Sequence, residues 1–479
     1  MADNAKQRKT QRNRTEPVAR LGAYKERPNV LMLTHRVPYP PDRGDRIRSY
    51  HLLKELSRHF NVSLASFTEE DVTVEQKTKL DRLTRRFAIQ RLNRNQKYFR
   101  AGMSLLKGKP ITTSVFYDAN LAKQLRQWHT EVRFDAVVTF CSGMVQHARD
   151  IVGGRLQAGC NIHGGGLHLL DLVDVDSVKW ANLARQSSFL KRIIFQRESK
   201  LLREVELGLH DRIDVLSVVS KAELEVYEQI REHHCSVSPS VDSVVASHLH
   251  GFDQKGLRAF AVTNGVDLDY FKARFDKGAA CYNIVFVGVL DYQPNIEAVQ
   301  WFATQVMPRI RDRVPDAKFI VVGKRPAEAV RVLDGYMGTK VVGEVPDVRP
   351  HVYDAAVVVA PLKIAPGVQN KVLEAMAMQR VVVCSPEAAK GIDAMVGRDL
   401  LTADTVAQYA DTITGLLRNP AAREAISQAA RYRVEIGYDW HAVLNPLSQY
   451  LMRSVRPKAK KSQSKQAISK VTQATRLAA

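Results

Sequence analysis

Apolar residues first gather at Asn29-Val-Leu-Met-Leu-Thr-His35, bounded by Pro28 and by Pro38, Pro40 and Pro41, which predicts a buried strand. Ile47, Tyr50, Leu53, Leu56 and Phe60 then recur at helical spacing through 46–60, and 62–67 predicts a second strand. Strand, helix and strand in that order make a parallel βαβ unit. Further strands are expected at 135–140, 167–170 and 215–219, with a long helix over 189–207 between the last two. Segment 236–256 shows no period and reads as loop. A second series begins after Asp269: a strand at Ile284-Val-Phe-Val-Gly288, then a helix from Pro294 to about Arg313 with proline near its start, where it is tolerated. Strands at 319–323, 340–345 and 356–362 follow, and a helix over 369–378 leads into Val381-Val-Val-Cys384. Two successive βαβ series predict an α/β chain with two doubly wound domains facing each other across a cleft.

Composition agrees with a globular chain: 479 residues, 45% hydrophobic and 25% charged, which allows two or three domains. No run approaches the ~18 apolar residues of a membrane span, and the basic N-terminus has no apolar stretch behind it to make a secretory signal. Five cysteines (Cys141, Cys160, Cys235, Cys281, Cys384) lie far apart with no CxxC pair, which disfavours a disulfide framework or zinc site and favours a reducing, cytoplasmic setting. The net charge of +21 is unevenly placed. Residues 1–28 carry eight Lys/Arg against three acids, residues 453–479 carry eight against none, and only +8 remains for everything between. Both tails are expected to be disordered. The body is only mildly basic.

No GxxxxGK[ST] loop occurs and no GxGxxG follows the first strand, so neither a P-loop NTPase nor a nicotinamide dehydrogenase is supported. His163-Gly-Gly-Gly166 lacks a GxSxG partner and reads as a turn. Asp174-Val-Asp176 is a lone DxD, and no metal site is expected from it. The strongest constellation runs from Ala360 to Val383: a strand, a Pro/Gly loop, a helix and a second strand. Gly367 permits close backbone approach, and the amides of Val368, Gln369 and Asn370 face whatever sits above the helix start, where phosphate binds well. Lys371 in the first helical turn opposes the helix dipole, a conflict that a bound anion would resolve. Glu374, one turn on, is placed to accept from vicinal hydroxyls. A phosphate receptor beside a hydroxyl receptor describes a nucleoside diphosphate with its ribose.

At this point the chain resembles glycosyltransferase family 4, with the GT-B fold, and most closely the sugar transferases associated with exosortase and PEP-CTERM systems. The residues that carry the resemblance are His35-Arg-Val-Pro-Tyr-Pro-Pro-Asp-Arg-Gly44-Asp-Arg-Ile-Arg48-Ser and Asp171-Leu-Val-Asp174-Val-Asp-Ser177-Val-Lys-Trp180. Asn264-Gly-Val-Asp267, Phe286-Val-Gly288-Val-Leu-Asp-Tyr-Gln-Pro-Asn295 and Asn370-Lys-Val-Leu-Glu374-Ala-Met complete the ordered set.

The resemblance implies two Rossmann-like domains, an acceptor domain at 29–270 and a nucleotide-sugar domain at 280–435, with a helix at 436–452 returning to the first. It implies retaining transfer from a nucleotide diphosphate sugar, UDP- or GDP-linked, with no metal or cofactor, to a saccharide or polyprenyl-linked acceptor in exopolysaccharide or envelope glycan synthesis. Gly44 would approach the donor phosphate or the acceptor, with Arg48 and His163 on the acceptor side. Gly288, Gly367 and the following amides, Lys371 and Lys363 would hold the donor, and Glu374 its ribose. Asp171 or Asp174 would stand near the catalytic position of the first domain, with Lys371 stabilising the leaving phosphate. Three departures are plain: Pro366 replaces the first glutamate of the family's spaced pair, Val289-Leu-Asp-Tyr-Gln replaces its diphosphate-flanking Arg and Lys, and the histidine common at the end of a mid-domain strand of the first domain has no clear counterpart, with Asp171 or Asp174 near that point and His163 before it.

The competing readings are a GT-B nucleotide-sugar epimerase and a non-enzymatic basic protein that binds nucleic acid through its tails. No RRM, helix-turn-helix or zinc signature supports the latter, and no specific nucleic acid is expected as a partner. The basic C-terminal tail and the stretch 77–109, with Phe87, Ile89, Leu92, Tyr98, Phe99, Met103, Leu105 and Leu106 interleaved, predict reversible docking on an anionic inner leaflet.

Overall fold

The computed structural model describes residues 27–152, 166–185, 187–209, 213–232, 250–254, 257–274, 282–365 and 367–455. The expectations for both tails, for His163, for Pro366 and for most of 236–256 fall outside them.

The first sheet holds β1 (Asn29–Thr34), β2 (Asn61–Thr68), β3 (Arg86–Arg91), β4 (Ala136–Phe140), β5 (Leu167–Val173), β6 (Val215–Val218), β7 (His250–Gln254) and β8 (Leu257–Ala261). Their spatial order is β3-β2-β1-β4-β5-β6-β8-β7, parallel except for the β7–β8 pair. The second sheet holds β9 (Asn283–Val287), β10 (Lys318–Val322), β11 (Thr339–Gly343), β12 (Val357–Ala360), β13 (Val382–Cys384) and β14 (Leu401–Thr402). It is wholly parallel, in the order β11-β10-β9-β12-β13-β14. Parallel strands are covered on both faces and so read as continuous apolar runs; Val30, Leu31, Met32 and Leu33 are all fully buried.

In both sheets the chain winds outward from the first strand and then crosses back to its other side, between β1 and β4 and between β9 and β12. Ligands of open α/β sheets bind outside the carboxyl ends of the strands at such reversals. Topology therefore directs attention to the residues just after these four strands.

Seven helices matter below: α1 (Gly44–His59), α2 (Arg94–Leu106), α3 (Asp176–Arg185), α4 (Phe189–Leu207), α5 (Gln293–Trp301), α6 (Asn370–Ala377) and α7 (Trp440–Val455). α7 lies on the first sheet although it follows the second in sequence. Its Trp440, Val443, Leu444, Leu447 and Leu451 join Leu52 and Leu53 of α1 in one core. Trp440 stacks on His51 at 4.7 Å, and His441 Nδ1 meets Glu55 at 2.8 Å.

Three local expectations are corrected. The stretch read as loop ends in β7, a five-residue strand that pairs antiparallel with β8 at the edge of the first sheet. The helix expected from 294 to 313 is interrupted after α5 by a π-helical turn, Phe302–Val306, before Met307–Arg311. Pro308 explains it: proline has no N–H to give the preceding turn. Within the basic stretch, Phe87 and Ile89 lie on β3 and pack on the core, and Leu92 is buried, so none of the three faces outward.

Candidate active site

Behind β9 and β12 a compact group assembles from four elements. β9 ends at Gly288, and the loop after β12 turns through Gly367, whose φ of +68° favours glycine, into α6. Lys371, on the first turn of α6, donates to Asn295 Oδ1 of α5 at 2.7 Å and lies 4.7 Å from the Phe286 ring centroid. Asn295 is oriented by a bond from its Nδ2 to the Val289 carbonyl at 2.8 Å. A Cβ on Gly288 would stand 3.1 Å from Lys371 Nζ and 3.0 Å from Asn295 Nδ2, so glycine lets the cation approach the strand end. Burial pushes the Lys371 ammonium down to about 8 and the Glu374 carboxyl up to about 7, each partly opposed by the other's charge. Glu374 makes no hydrogen bond among the described residues, and Asn370 Oδ1 is buried without a partner. The first turn of α6 has no side-chain cap. A half-buried cation, an unused carboxylate and an uncapped helix start thus meet at the carboxyl ends of β9 and β12, and an anion bearing hydroxyls would satisfy all three. Lys363 is exposed on the loop leading into α6.

Across the cleft, behind β1 and β4, His35 is the centre. Its Nε2 lies 3.2 Å from Asp45 Oδ2 and its Nδ1 3.3 Å from Cys141 Sγ, while its ring stacks on Phe140. Burial alone would lower the His35 imidazole, yet the Cys141 sulfur and Asp45 together raise it to about 9. Burial would likewise raise the Asp45 carboxyl, but His35 and Arg36, both bonded to it, hold it well below the usual range. Ser142 donates to Asp176, whose carboxyl burial pushes up. A cavity of about 200 Å³ opens here, lined among others by His35, Arg36, Arg43, Arg46, Lys97 and Phe116. Gly44 opens α1, and a Cβ there would meet nothing within 4 Å, so the space above it is free for a ligand. The two halves approach at Asp42 and Lys324, whose charged atoms are 4.0 Å apart.

Two sequence expectations are overturned by packing. Arg48 and Asp171 are almost wholly buried and bind each other in bidentate fashion, Nε to Oδ2 at 2.8 Å and Nη2 to Oδ1 at 3.1 Å. Arg48 Nη1 also donates to the Val262 and Thr263 carbonyls and to Asn264 Oδ1. The pair clamps α1, β5 and the segment after β8 together, so neither side chain is presented to acceptor or donor. Asp174 lies beyond Val173, whose φ of +70° turns the chain out of β5, and pairs with Lys179 at 3.6 Å. The sequence assigns no site role to His35, Arg36, Arg43, Arg46, Cys141, Asn295 or Lys97. The first four, like Arg48, stand in the Arg-rich segment that follows β1, which was the available signal. Among the described residues no group of three or more His, Cys, Asp and Glu gathers as a metal set.

Two wound sheets whose reversals face one cleft, with the last helix carried back onto the first sheet, define the GT-B architecture of glycosyltransferases. Residues 281–419 match the family model described as Glycosyl transferases group 1. Sucrose-phosphate synthase from Thermosynechococcus elongatus superposes with a TM-score of 0.60 at 14% identity, covering 89% of this chain and 99% of that one. Anabaena HepE in complex with UDP gives 0.57 at 12% identity, covering 89% and 100%. A trehalose 6-phosphate synthase from Burkholderia multivorans gives 0.57 at 13%, covering 89% and 99%. An uncharacterised Klebsiella pneumoniae protein of a cps region is 22% identical over 173 residues, 34% of this chain and 45% of that protein. The match thus spans less than half of that relative's length.

Proposed function

We propose that this chain is a retaining, family 4-like glycosyltransferase that moves a sugar from a nucleotide diphosphate donor, UDP- or GDP-linked, to a saccharide or polyprenyl-linked acceptor in bacterial exopolysaccharide or envelope glycan synthesis. The observation that carries the reading is Lys371, a half-buried cation set between Gly288, Asn295 and the uncapped start of α6. HepE, of similar fold, has been seen with UDP and with UDP-glucose, which supports a uridine donor.

In this reading the donor diphosphate lies over Gly288 and Gly367, and Glu374 accepts from the ribose hydroxyls. As the glycosidic bond breaks, negative charge grows on the β-phosphate, where Lys371 and the α6 amides stabilise it more than in the ground state. The acceptor hydroxyl enters from the cavity beside Gly44 and passes its proton to the departing phosphate. His35 is not needed as a base, since both of its ring nitrogens are engaged by Asp45 and Cys141. The enzyme works at the inner face of the plasma membrane, where a lipid-linked acceptor resides; no helix among the described residues is long and apolar enough to cross it.

The test is a screen of the purified chain against UDP-, GDP-, TDP- and ADP-sugars, reading thermal shift and nucleotide release. One nucleotide should raise the melting temperature as its concentration passes its dissociation constant. Stabilisation by none, with no release in the presence of membrane lipid extract, would refute the reading. Isomerised free nucleotide sugar without transfer would establish an epimerase instead.

A further inference from the structure

Among the described residues, exposed large apolar side chains gather on α2 and the beginning of α4. Phe99 is 70% exposed and Leu106 83%, and Tyr98 and Leu105 are exposed beside them. These four occupy positions i, i+1, i+7 and i+8, one stripe of the helix. On α4, Phe189 is 76% and Leu190 74% exposed, with Ile193 and Ile194 following on the next turn of the same face. The two helices are tied together: Arg197 of α4 donates to the Ser104 and Lys109 carbonyls at 3.1 and 3.2 Å, and Glu198 accepts from the Ile111 and Thr112 amides. Large apolar side chains gathered on adjoining elements mark an interaction surface rather than scattered surface residues.

Charge identifies the occupant. Between Thr84 and Tyr117 there are eight Lys/Arg and no acid, and between Lys179 and Arg197 five and no acid. Of these, Arg94, Lys107, Lys109, Lys191 and Arg192 form no ion pair among the described residues. Two copies meeting through this face would bring like charges together. A sheet of negative headgroups would instead meet the cations along both helices while the apolar stripes enter the interface. The face also adjoins the acceptor side of the cleft, because Lys97 of α2 lines the cavity that holds His35 and Arg36.

We propose that the α2–α4 face seats this chain on an anionic lipid bilayer and turns the His35 cavity toward the membrane surface. The proposal deepens the reading of a lipid-linked acceptor, but membrane docking is measured without any sugar transfer and stands or falls separately. It assigns docking to a folded surface that includes α4, in addition to the basic C-terminal tail.

Sedimentation of the full chain tests it, with vesicles of phosphatidylcholine alone and of three parts phosphatidylcholine to one part phosphatidylglycerol, at ~0.1 M and ~0.5 M salt. Each unpaired cation near an anionic leaflet favours binding roughly fivefold, so binding should be strong only to the anionic vesicles and should weaken in high salt. Two double variants, Phe99→Glu with Leu106→Glu and Phe189→Glu with Leu190→Glu, should each bind at least tenfold more weakly while melting at the unchanged temperature. A chain ending at Val455 should still respond to both double substitutions. Unchanged binding by both double variants, equal binding of the unsubstituted chain to both vesicle types, or binding lost wholly with the tail would overturn the proposal. So would a dimer in solution that the same substitutions dissolve.

Discussion

Replacing Lys371 by alanine removes the half-buried cation at the carboxyl ends of β9 and β12. In the free protein that ammonium has Asn295 Oδ1 at 2.7 Å and the Phe286 ring at 4.7 Å, and burial has brought it down to about 8. A diphosphate arriving beside it would favour the charged form and reverse that shift. A hydrogen bond to a charged partner is worth about 1.5–3 kcal/mol, so Lys371→Ala should weaken a nucleoside diphosphate roughly 10- to 150-fold. The bare nucleoside should lose little.

The pH dependence supplies a second reading of the same contact. Below about 8 the free site already carries its proton; above it, binding the diphosphate must first restore one. Affinity for the diphosphate should therefore fall as pH rises through 8, by up to tenfold per unit, and Lys371→Ala should flatten that limb. Calorimetric titration of nucleoside, monophosphate and diphosphate at pH 7 and pH 9 measures both effects. Equal losses for nucleoside and diphosphate, or an undiminished alkaline limb in the variant, would refute a phosphate role.

Glu374→Gln should weaken the donor about 10- to 150-fold by loss of a charged acceptor, while raising the melting temperature of the free protein by ~2 °C because a half-buried, unpartnered carboxylate is neutralised; calorimetry with and without nucleotide checks both. Gly288→Ala should lower donor affinity through Lys371 and Asn295, whose nitrogens stand 3.1 and 3.0 Å from the new methyl, and a titration with the diphosphate would show it. Asp171→Asn strands the Arg48 charge in the interior and should cost about 3–5 kcal/mol in a denaturant unfolding experiment, with the nucleotide affinity of the folded fraction unchanged.

Much of the fold was legible because parallel strands buried on both faces leave uninterrupted apolar runs. Val30–Leu33, the Ile284–Phe286 core of β9 and the Val381–Cys384 run are of this kind, and the 19-residue helix Phe189–Leu207 stood where its periodicity put it. The misses have separate causes. β7 is an edge strand of only five residues, too short to show a clear period. The π-helical turn before Met307 arises from a missing proline N–H, which does not alter the spacing of apolar positions.

The site divides along a different line, that between contiguous and assembled chemistry. Gly367, Lys371 and Glu374 lie on one loop and one helix, so spacing alone brought them together. The partner that fixes Lys371 is Asn295, 76 residues earlier, and the sulfur facing His35 is Cys141, 106 residues later; neither pairing has a local signature. Arg48 and Asp171 show the converse. Two ionic residues in functional-looking segments, 123 residues apart, are each other's charge partner in the interior. A charge read from sequence has no address until its desolvation is known. Lys371 is held through one neutral hydrogen bond, and its proton is loosened by burial; Arg48 is held through five bonds and fully matched. The unmatched cation has capacity left for a ligand, and the matched one does not.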